Sequence, residues 1–176
     1  MNTTVFVSCA LVGFIGCGGN SPKICAQPLA VSHHDTFGFT ITTPTTWSMS
    51  GRFSNATQWS LTNGNFSDGP HWQRTSTANA TTYVASIEPS LSGTQVDHLT
   101  LEGRAAVRYQ YIAPAAVPLC RSPCGSGGPP PNLIYVQYAI IDGLDVIGFA
   151  GAVDEAAPPE QLCEFDAVAQ SIHFDH

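Results

Sequence analysis

Residues 132–153 read NLIYVQYAIIDGLDVIGFAGAV, and this stretch decides the fold of the chain. Ile, Val, Tyr and Phe are frequent in both halves, and these residues favour the packed, pleated surface of a sheet. Asp142-Gly143 separates the halves, and an Asp-Gly pair favours the type I′ turn, in which both central residues need positive φ. The stretch therefore predicts a β-hairpin with strands at 133–141 and 144–153 and a type I′ turn at Asp142-Gly143.

The first strand of this hairpin carries apolar side chains on both of its faces, with Gln137 as the exception. A strand that is apolar on both faces is usually covered on both. We therefore expect it to occupy a central position in a sheet, with other parts of the chain packed on each side.

The segment after the hairpin predicts an amphipathic helix. Pro158 and Pro159 favour its first turn, where a missing N–H costs nothing, and Glu160 favours the positive end of the helix dipole. Apolar residues at helical spacing predict the side that faces the sheet; they are Leu162, Phe165, Val168, Ala169 and Ile172. The polar residues Glu164, Asp166 and Gln170 are expected to lie mostly away from it.

The earlier part of the chain supplies weaker strand patterns. Alternation of apolar and polar residues predicts further strands at 35–43, 58–62, 81–88 and 99–112, with a turn at Glu102-Gly103. Turn-forming residues predict irregular structure at 63–77 and a connection with at most one helical turn at 88–98. A Pro/Gly-rich loop is predicted at 113–132.

The composition excludes one class of partner. The chain has 176 residues, of which only 11% are charged, and a formal net charge of −7. Nucleic-acid binding needs clustered Lys and Arg to displace counterions, and the sequence has a single lysine and no basic cluster. We expect no nucleic-acid partner, and we interpret the acidic balance as a matter of solubility.

The first residues resemble the signal of a bacterial lipoprotein. Residues 1–16 form an apolar leader that ends Phe14-Ile15-Gly16, directly before Cys17. The resemblance implies a signal peptide at 1–16, a lipid on Cys17, a flexible tether over 17–34 and a domain at 35–176. It also implies a protein anchored to a membrane of the bacterial envelope and facing the periplasm or the exterior. The alternatives are an ordinary secretory signal with an incidental Cys17, or a transmembrane anchor.

Four cysteines remain once Cys9 and Cys17 are set aside, and an even number in an exported protein predicts disulfides. Three pairings are possible. We expect Cys120 to pair with Cys124 across a short loop and Cys25 to pair with Cys163. A redox pair or a zinc site is disfavoured, because the spacing is not C-x-x-C and no βαβ pattern surrounds it.

Three segments occur in order along the chain: FGFTITTPTTW at 37–47, LTLEGRAAVRYQYI at 99–112 and AVAQSIHF at 167–174. Together they resemble the PsbP-like (Mog/PsbP) family of small domains. The positions that match the family pattern are Phe37, Phe39, Pro44 and Trp47, then Gly103, Arg104 and Ala105, and finally Ser171, Ile172 and Phe174.

The resemblance implies a single α+β domain, in which a twisted, mostly antiparallel sheet is flanked by helices as an α/β/α sandwich. The hairpin and helix of the last quarter lead independently to a compatible architecture. The family supplies no catalytic residues, and its members tend to act as binding or assembly modules. Where the family has a substantial middle helix, this chain offers only 88–98, which contains Pro89 and Gly93.

Histidines at the two ends of the predicted domain suggest a different function. His33 and His34 precede the first predicted strand, and His173 and His176 close the chain. Converging ends could bind a metal through imidazole and the carboxylate of Asp35, as in a secreted hydrolase or metal-dependent enzyme. We favour two solvated polar ends instead, and we assign no metal, cofactor or catalytic residue. The chain also lacks the sequence motifs of common hydrolases and nucleotide-binding enzymes.

The polar segment 47–72 contains five aromatic residues, and they either cover the sheet or line a surface for a ligand or partner. They are Trp47, Phe53, Trp59, Phe66 and Trp72. We expect Trp47 in the core and leave Trp72 open.

The predicted function is a lipid-anchored envelope protein that acts as a non-enzymatic binding or assembly module for a partner protein or small ligand. A disulfide-stabilised structural protein without a ligand is a third hypothesis.

Overall fold

The computed structural model describes residues 29–34, 38–49, 58–62, 68–88, 93–114 and 132–175. They form ten strands and two helices, which follow one another as β1 (Leu29–His34), β2 (Phe39–Pro44), β3 (Ser48–Met49), β4 (Gln58–Thr62), β5 (Asp68–Ser76), α1 (Ala80–Ser86), β6 (Gln95–Leu101), β7 (Arg104–Pro114), β8 (Asn132–Asp142), β9 (Asp145–Asp154), α2 (Pro159–Gln170) and β10 (His173–Phe174).

The strands build two sheets. The larger has seven strands in the order β3-β4-β5-β9-β8-β7-β6, and the smaller has three in the order β1-β2-β10. The paired strands run antiparallel in both sheets. The predicted α+β class with a mostly antiparallel sheet is confirmed, and the hairpin β8–β9 lies inside the larger sheet as expected.

The turn of this hairpin differs from the prediction. Asp142 pairs with Asp145, so the central residues are Gly143 and Leu144. Of these two only Gly143 has positive φ, at 64°, which is the pattern of a type II′ turn. The prediction of a type I′ turn at Asp142-Gly143 was therefore wrong, because the pairing extends one residue further than the strand pattern indicated.

The type I′ turn occurs instead between β6 and β7. Leu101 pairs with Arg104, and the central residues Glu102 and Gly103 have φ of 50° and 79°. Positive φ is costly for a residue with a side chain, so Glu102 is held in this conformation by the hairpin around it.

Both faces of the larger sheet are covered, as the apolar pattern of β8 predicted. One face packs against α2 and the small sheet, through a cluster that includes Trp72, Tyr138 and Phe165. The opposite face packs against α1, through a smaller cluster that includes Val84 and Tyr109. Alternate residues of β8 enter the two clusters, which places this strand at the centre of the fold.

Helix α2 starts where the prolines predicted, with Pro158 as its N-cap residue. Its buried residues are Phe165, Ala167, Val168 and Ala169. The ring of Phe165 stacks on Phe149 of β9, with the two centroids 4.3 Å apart. This contact fixes α2 over the middle of the sheet.

Helix α1 replaces the strand that alternation predicted at 81–88. Asn79 caps the helix, and its side chain accepts a hydrogen bond of 2.9 Å from the backbone N–H of Thr82. Ala80 and Val84, four residues apart, bury against the sheet. The capping residue and the tertiary contacts outweigh the strand preference of this short segment. A helix therefore covers the second face, although the expected helical position at 88–98 does not provide it.

Strand β5 lies where the sequence predicted irregular structure at 63–77. Its pairing with β9 shifts between Asp68 and His71, which marks a bulge and explains the turn-like sequence there. From His71 to Ser76 the pairing with β9 is continuous. Trp72 provides the apolar contact of this otherwise polar strand, because it is fully buried and stacks on Phe149.

The small sheet joins the two ends of the described chain. β1 lies within the segment 17–34 that was predicted as a tether, so residues 29–34 belong to a sheet and not to a flexible tether. β2 pairs with β1 on one side and with β10 on the other. Ser171 strengthens the second junction, because its hydroxyl accepts from the N–H of Thr42 at 2.9 Å and contacts the Thr42 carbonyl at 3.1 Å.

Candidate functional site

Charged side chains gather on the face of the larger sheet that α2 covers. At the tip of the hairpin β8–β9, Arg74 of β5 contacts Asp145 at 2.6 Å, and Arg104 of β7 contacts Asp142 at 2.8 Å. Arg104 also lies over the ring of Phe174, with its guanidinium carbon 3.6 Å from the ring centroid. Both arginines are thus neutralised by carboxylates of the same hairpin.

A second cluster lies beneath α2. Arg108 of β7 donates two hydrogen bonds to Asp166 of α2, from Nε at 2.9 Å and from Nη2 at 3.0 Å. Tyr138 of β8 donates a third, from its hydroxyl to Asp166 at 2.7 Å. Gln110 and Gln170 complete the cluster through contacts with Arg108 and Tyr138. Asp166 therefore faces the sheet, contrary to the expectation that it would lie mostly elsewhere.

Burial shapes the ionisation of this second cluster. The pKa of the Tyr138 hydroxyl is raised far above its ordinary value, first by burial and then by the adjacent charge of Asp166. Burial alone would lower the pKa of Arg108, but its hydrogen bonds and its attraction to Asp166 outweigh burial and raise it. Arg108 is therefore charged, and Tyr138 neutral, at physiological pH.

The internal pairing of these arginines leaves an acidic outer surface. Within the ranges that the structure describes, the exposed carboxylate residues are Glu88, Asp97, Glu102, Asp154, Glu155, Glu160 and Asp175. The three arginines of those ranges are only partly exposed, and each contacts a carboxylate. The described surface therefore presents negative charge with little exposed basic charge to balance it.

The edge of the larger sheet adds a second feature. β6 is its terminal strand and contains seven residues, of which four are exposed, two are partly exposed and only Leu101 is buried. In the described part of the chain no strand pairs with the outer side of β6. Asp97 lies on this strand, with 63% of its side chain exposed. The candidate interaction surface is this edge together with the carboxylates around it.

The sequence did not reveal this surface or the ion pair beneath α2. Arg104 and Arg108 alternate with Ala106 on one face of a predicted strand, which could have suggested a charged row on the sheet. Their partners are far away in sequence, 38 residues for Asp142 and 58 for Asp166, so no local pattern connects them. An edge position likewise depends on strand order, which local patterns do not contain.

The described histidines of the alternative, metal-binding hypothesis occupy the outer face of the small sheet. His33 of β1 and His173 of β10 both pair with Thr40 of β2, from opposite sides. His33 lies 3.6 Å from Asp175, and His173 lies 3.0 Å from Glu102. Among the residues that the structure describes, no group of three or more His, Cys, Asp or Glu side chains could hold a metal ion. Asp35, His176 and the side chain of His34 lie outside the described residues.

The cysteine predictions fall largely outside the described residues. Cys163 on α2 is disulfide-bonded. Cys17, Cys25, Cys120 and Cys124 are not described, so the pairing of Cys25 with Cys163, the bridge between Cys120 and Cys124 and the lipid on Cys17 stay predictions. No helix in the described ranges is long and apolar enough to cross a membrane.

The described tryptophans belong to the core instead of an exposed aromatic surface. Trp47 is 5% exposed, which confirms its prediction, and its Nε1 donates to Glu164 at 2.5 Å. Trp72 is fully buried, which settles the open choice in favour of the core. Phe53, Phe66 and the side chain of Trp59 lie outside the described residues.

Solved structures provide the comparison. The chain is similar to the cyanobacterial PsbP (CyanoP) of Synechocystis, with a TM-score of 0.53, 12% identity and coverage of 93% of this chain and 98% of that one. It is also similar to LpqN of Mycobacterium tuberculosis, a protein involved in cell envelope biogenesis, with a TM-score of 0.50, 12% identity and coverage of 88% and 98%.

A Bacteroides thetaiotaomicron protein gives a TM-score of 0.54 at 5% identity, over 82% of this chain and 47% of that one, so the chain spans about half of its length. No protein-family model and no curated protein sequence matches the chain. At these identities the likeness establishes the fold alone. It agrees with the three ordered sequence segments and with the observed sheets, and the fold of the chain is PsbP-like.

Proposed function

We infer that the protein is a non-enzymatic binding or assembly module of a bacterial cell envelope, tethered through a lipid on Cys17. The observation that carries this inference is the distribution of charge. The sheet pairs Arg74, Arg104 and Arg108 internally, while the exposed charge of the described surface is acidic. Such a surface suits recognition of a partner protein or small ligand that carries positive charge.

The arrangement of the arginines supports recognition in preference to catalysis. A catalytic cleft typically brings together groups whose ionisation is adjusted for proton transfer near neutral pH. Here the hydroxyls of Tyr138 and Tyr109 have raised pKa values, chiefly through burial, and stay neutral, while Arg108 stays charged. The contacts of Tyr138 and Arg108 with Asp166 join β8 and β7 to α2, so they stabilise the surface on which a partner is bound.

The envelope location rests on two supports. Residues 14–17 resemble the cleavage site of a bacterial lipoprotein, and one protein of the same fold, LpqN, is involved in cell envelope biogenesis. Two acyl chains on one cysteine give stable anchoring, whereas a single chain gives only marginal binding.

Mass spectrometry of the protein purified from its native membrane tests the tether. We expect a peptide that begins at Cys17 and carries a diacylglyceryl mass, and we expect Cys17→Ser to move the protein into the soluble fraction. A mature chain that begins elsewhere and carries no lipid would rule out the tether. The same digest without reduction identifies the partner of Cys163.

Crosslinking in intact envelopes tests the binding role. We expect one dominant crosslinked partner, whose yield falls as salt rises from about 0.05 to 0.5 M because exposed charges are screened. The control is the double variant Glu155→Gln and Glu160→Gln, which removes two exposed charges that follow β9 and lie outside the β6 edge. A hydrolytic or metal-dependent activity that His33→Ala or His173→Ala abolishes would contradict the proposal and favour an enzyme.

A further inference from the structure

The outer edge of β6 has the properties of a docking site. We propose that this edge binds an extended, basic segment of a partner protein by strand addition, so that the segment becomes the next strand of the larger sheet. This inference rests on the proposed function, because it names the surface and the partner chemistry of the binding module.

The backbone of β6 offers regular hydrogen-bonding groups on its outer side. Its pairing with β7 is continuous over all seven residues. The two-residue turn closes on Leu101 and Arg104 as a hydrogen-bonded pair, and such pairs alternate with non-hydrogen-bonded ones along an antiparallel ladder. The N–H and C=O groups of Val96, His98 and Thr100 therefore point away from β7. An incoming strand would bond to these six groups.

Apart from the charge of Asp97, β6 lacks the features by which proteins usually protect an edge strand. Such strands are commonly short, bulged, or protected by charged side chains, especially Lys, or by Pro. β6 has seven residues without Lys or Pro, and its pairing with β7 shows no shift of register. The other described edge strands differ from β6: β3 and β10 have two residues each, and β1 is regular over six residues but contains no carboxylate. Of the described edge strands, β6 is therefore the longest, and its sequence contains Asp97.

The charges around the edge select a basic occupant. Asp97 on β6 has 63% of its side chain exposed, and Glu102 in the adjoining turn has 39% exposed. Glu88 follows α1 and precedes β6 in the chain, and it is also exposed. The strand and the segments next to it in sequence thus carry negative charge.

The nearest basic group does not cancel this charge. Arg108 lies directly opposite Asp97 across the β6–β7 ladder, but only 12% of its side chain is exposed. It contacts Asp97 at 3.5 Å and forms its two shorter hydrogen bonds with Asp166. Asp97 therefore retains most of its charge toward solvent.

A second copy of the chain fits this edge less well than a basic segment. Antiparallel pairing of two β6 strands about His98 places each Asp97 opposite Leu99 of the other copy and diagonal to the other Asp97. Like charges in neighbouring cross-strand positions are unfavourable. Each chain also has a formal net charge of −7, which opposes association of copies.

The positions of Asp97 and Leu99 define the segment further. Both form hydrogen-bonded pairs with β7, so they would form the closer, non-hydrogen-bonded pairs with an incoming strand. In such pairs the Cβ atoms approach to about 4.5–5.5 Å, and side chains interact directly. The segment should carry Lys or Arg opposite Asp97 and, two residues away, an apolar residue opposite the half-buried Leu99.

An array of nine-residue peptides provides the probe. The peptides combine Val, Ile, Thr and Tyr with Lys or Arg at every second position, and a matched set carries Glu at those positions. We expect the basic peptides to bind the full chain and the acidic set not to bind. NMR should show slowed amide exchange at Val96, His98 and Thr100, whose N–H groups point outward.

Two substitutions at His98 test whether the backbone N–H of this residue contributes to peptide binding in a chain that is still folded. Proline is tolerated in an edge strand where its missing N–H would face solvent, so His98→Pro should fold and lose at least tenfold in peptide affinity. His98→Thr keeps the N–H and should bind like the original chain.

Should His98→Pro fail to fold, Asp97→Lys provides the alternative, because it should reverse the preference from basic to acidic peptides. Asp97→Asn should weaken binding of basic peptides by about two- to fivefold, as for a cross-strand ion pair.

Several outcomes would overturn the edge proposal. These are no binding from the array, equal binding of basic and acidic peptides, protected amides confined to other strands, or protection at β6 that depends on protein concentration alone and thus reports a second copy. The envelope crosslink distinguishes the two proposals. A partner that is still crosslinked to folded His98→Pro overturns the edge proposal and leaves the binding module intact, whereas no specific partner contradicts the module itself.

Discussion

In the described part of the chain both faces of the seven-stranded sheet are covered by helices, but a network of ion pairs is seen on only one of them. Beneath α2 the aromatic core adjoins the ion pair of Arg108 and Asp166, while the described contacts beneath α1 are apolar apart from the hydrogen bond that Tyr109 donates to the Val84 carbonyl. The difference shows that directional bonds add to burial in holding α2, whereas burial is the main support of α1. Hydrogen bonds and ion pairs favour a single orientation of α2, which packs on the same face as the small sheet.

Removal of the carboxylate beneath α2 should have the largest effect. Asp166→Ala leaves the charge of Arg108 partly buried and without its main partner, and we expect the free energy of unfolding to fall by about 3–5 kcal/mol in urea denaturation. Asp97→Ala, which removes the exposed partner of Arg108, should change it by less than about 1 kcal/mol. An equal loss from both variants would show that the buried pair has no special role.

Truncation beneath α1 should have a smaller effect of a different kind. Val84→Ala removes two buried carbon atoms, and we expect a loss of about 2 kcal/mol from burial and the remaining cavity. Val31→Ala makes the same change at a residue that is 41% exposed and should cost well under 1 kcal/mol. If Val84→Ala costs no more than Val31→Ala, then α1 does not depend on burial.

Substitution of the two buried tyrosines compares the stability contributions of the two sheet faces directly. Tyr138→Phe removes a hydrogen bond to a charged carboxylate and should cost about 2 kcal/mol, whereas Tyr109→Phe removes one to a carbonyl and should cost about 1 kcal/mol. Thermal unfolding at neutral pH measures both. Equal losses would contradict the assignment of the ionic network to one face.

Low pH should lower the free energy of unfolding through Asp145, which lies on the sheet face that α2 covers. The pKa of this carboxyl lies below its ordinary value of 3.8, first because Ser76 donates a hydrogen bond to it and then because Arg74 does so. A lowered pKa in the folded state contributes stability above the ordinary value, and this contribution is lost as pH falls through the folded pKa. We therefore expect urea stability to decline below about pH 4. Ser76→Ala should reduce this decline and raise the pKa of Asp145 in a carbon-detected NMR titration. An unchanged titration would contradict the assignment.

These faces also show how much of the fold the sequence contains. The hairpin β8–β9 and helix α2 were predictable because long runs of suitable residues repeat at one period. Helix α1 was not, since its seven residues carry β-branched and aromatic side chains that alternate like a strand. Asn79 and the burial of Val84 decide its conformation, and the second of these depends on the rest of the sheet.

The candidate interaction surface was less predictable than the fold. The sequence of a polar strand such as β6 has the same pattern at the edge of a sheet as inside one. The edge position therefore cannot be predicted until the strand order is known. The acidic character was visible in the net charge of −7, but its placement depends on which basic groups are paired internally. Arg74 and Asp145 lie 71 residues apart, and no local pattern joins them.

The small sheet has a consequence for when the protein folds. β2 near the start pairs with β10 at the end, and the Ser171 hydroxyl bonds to Thr42 across 129 positions of sequence. Contacts between such distant positions close large loops and slow folding. The β2–β10 junction therefore forms only after residues 173–174 have emerged. A chain that is transported across a membrane unfolded would be kept from completing this junction until these residues arrive.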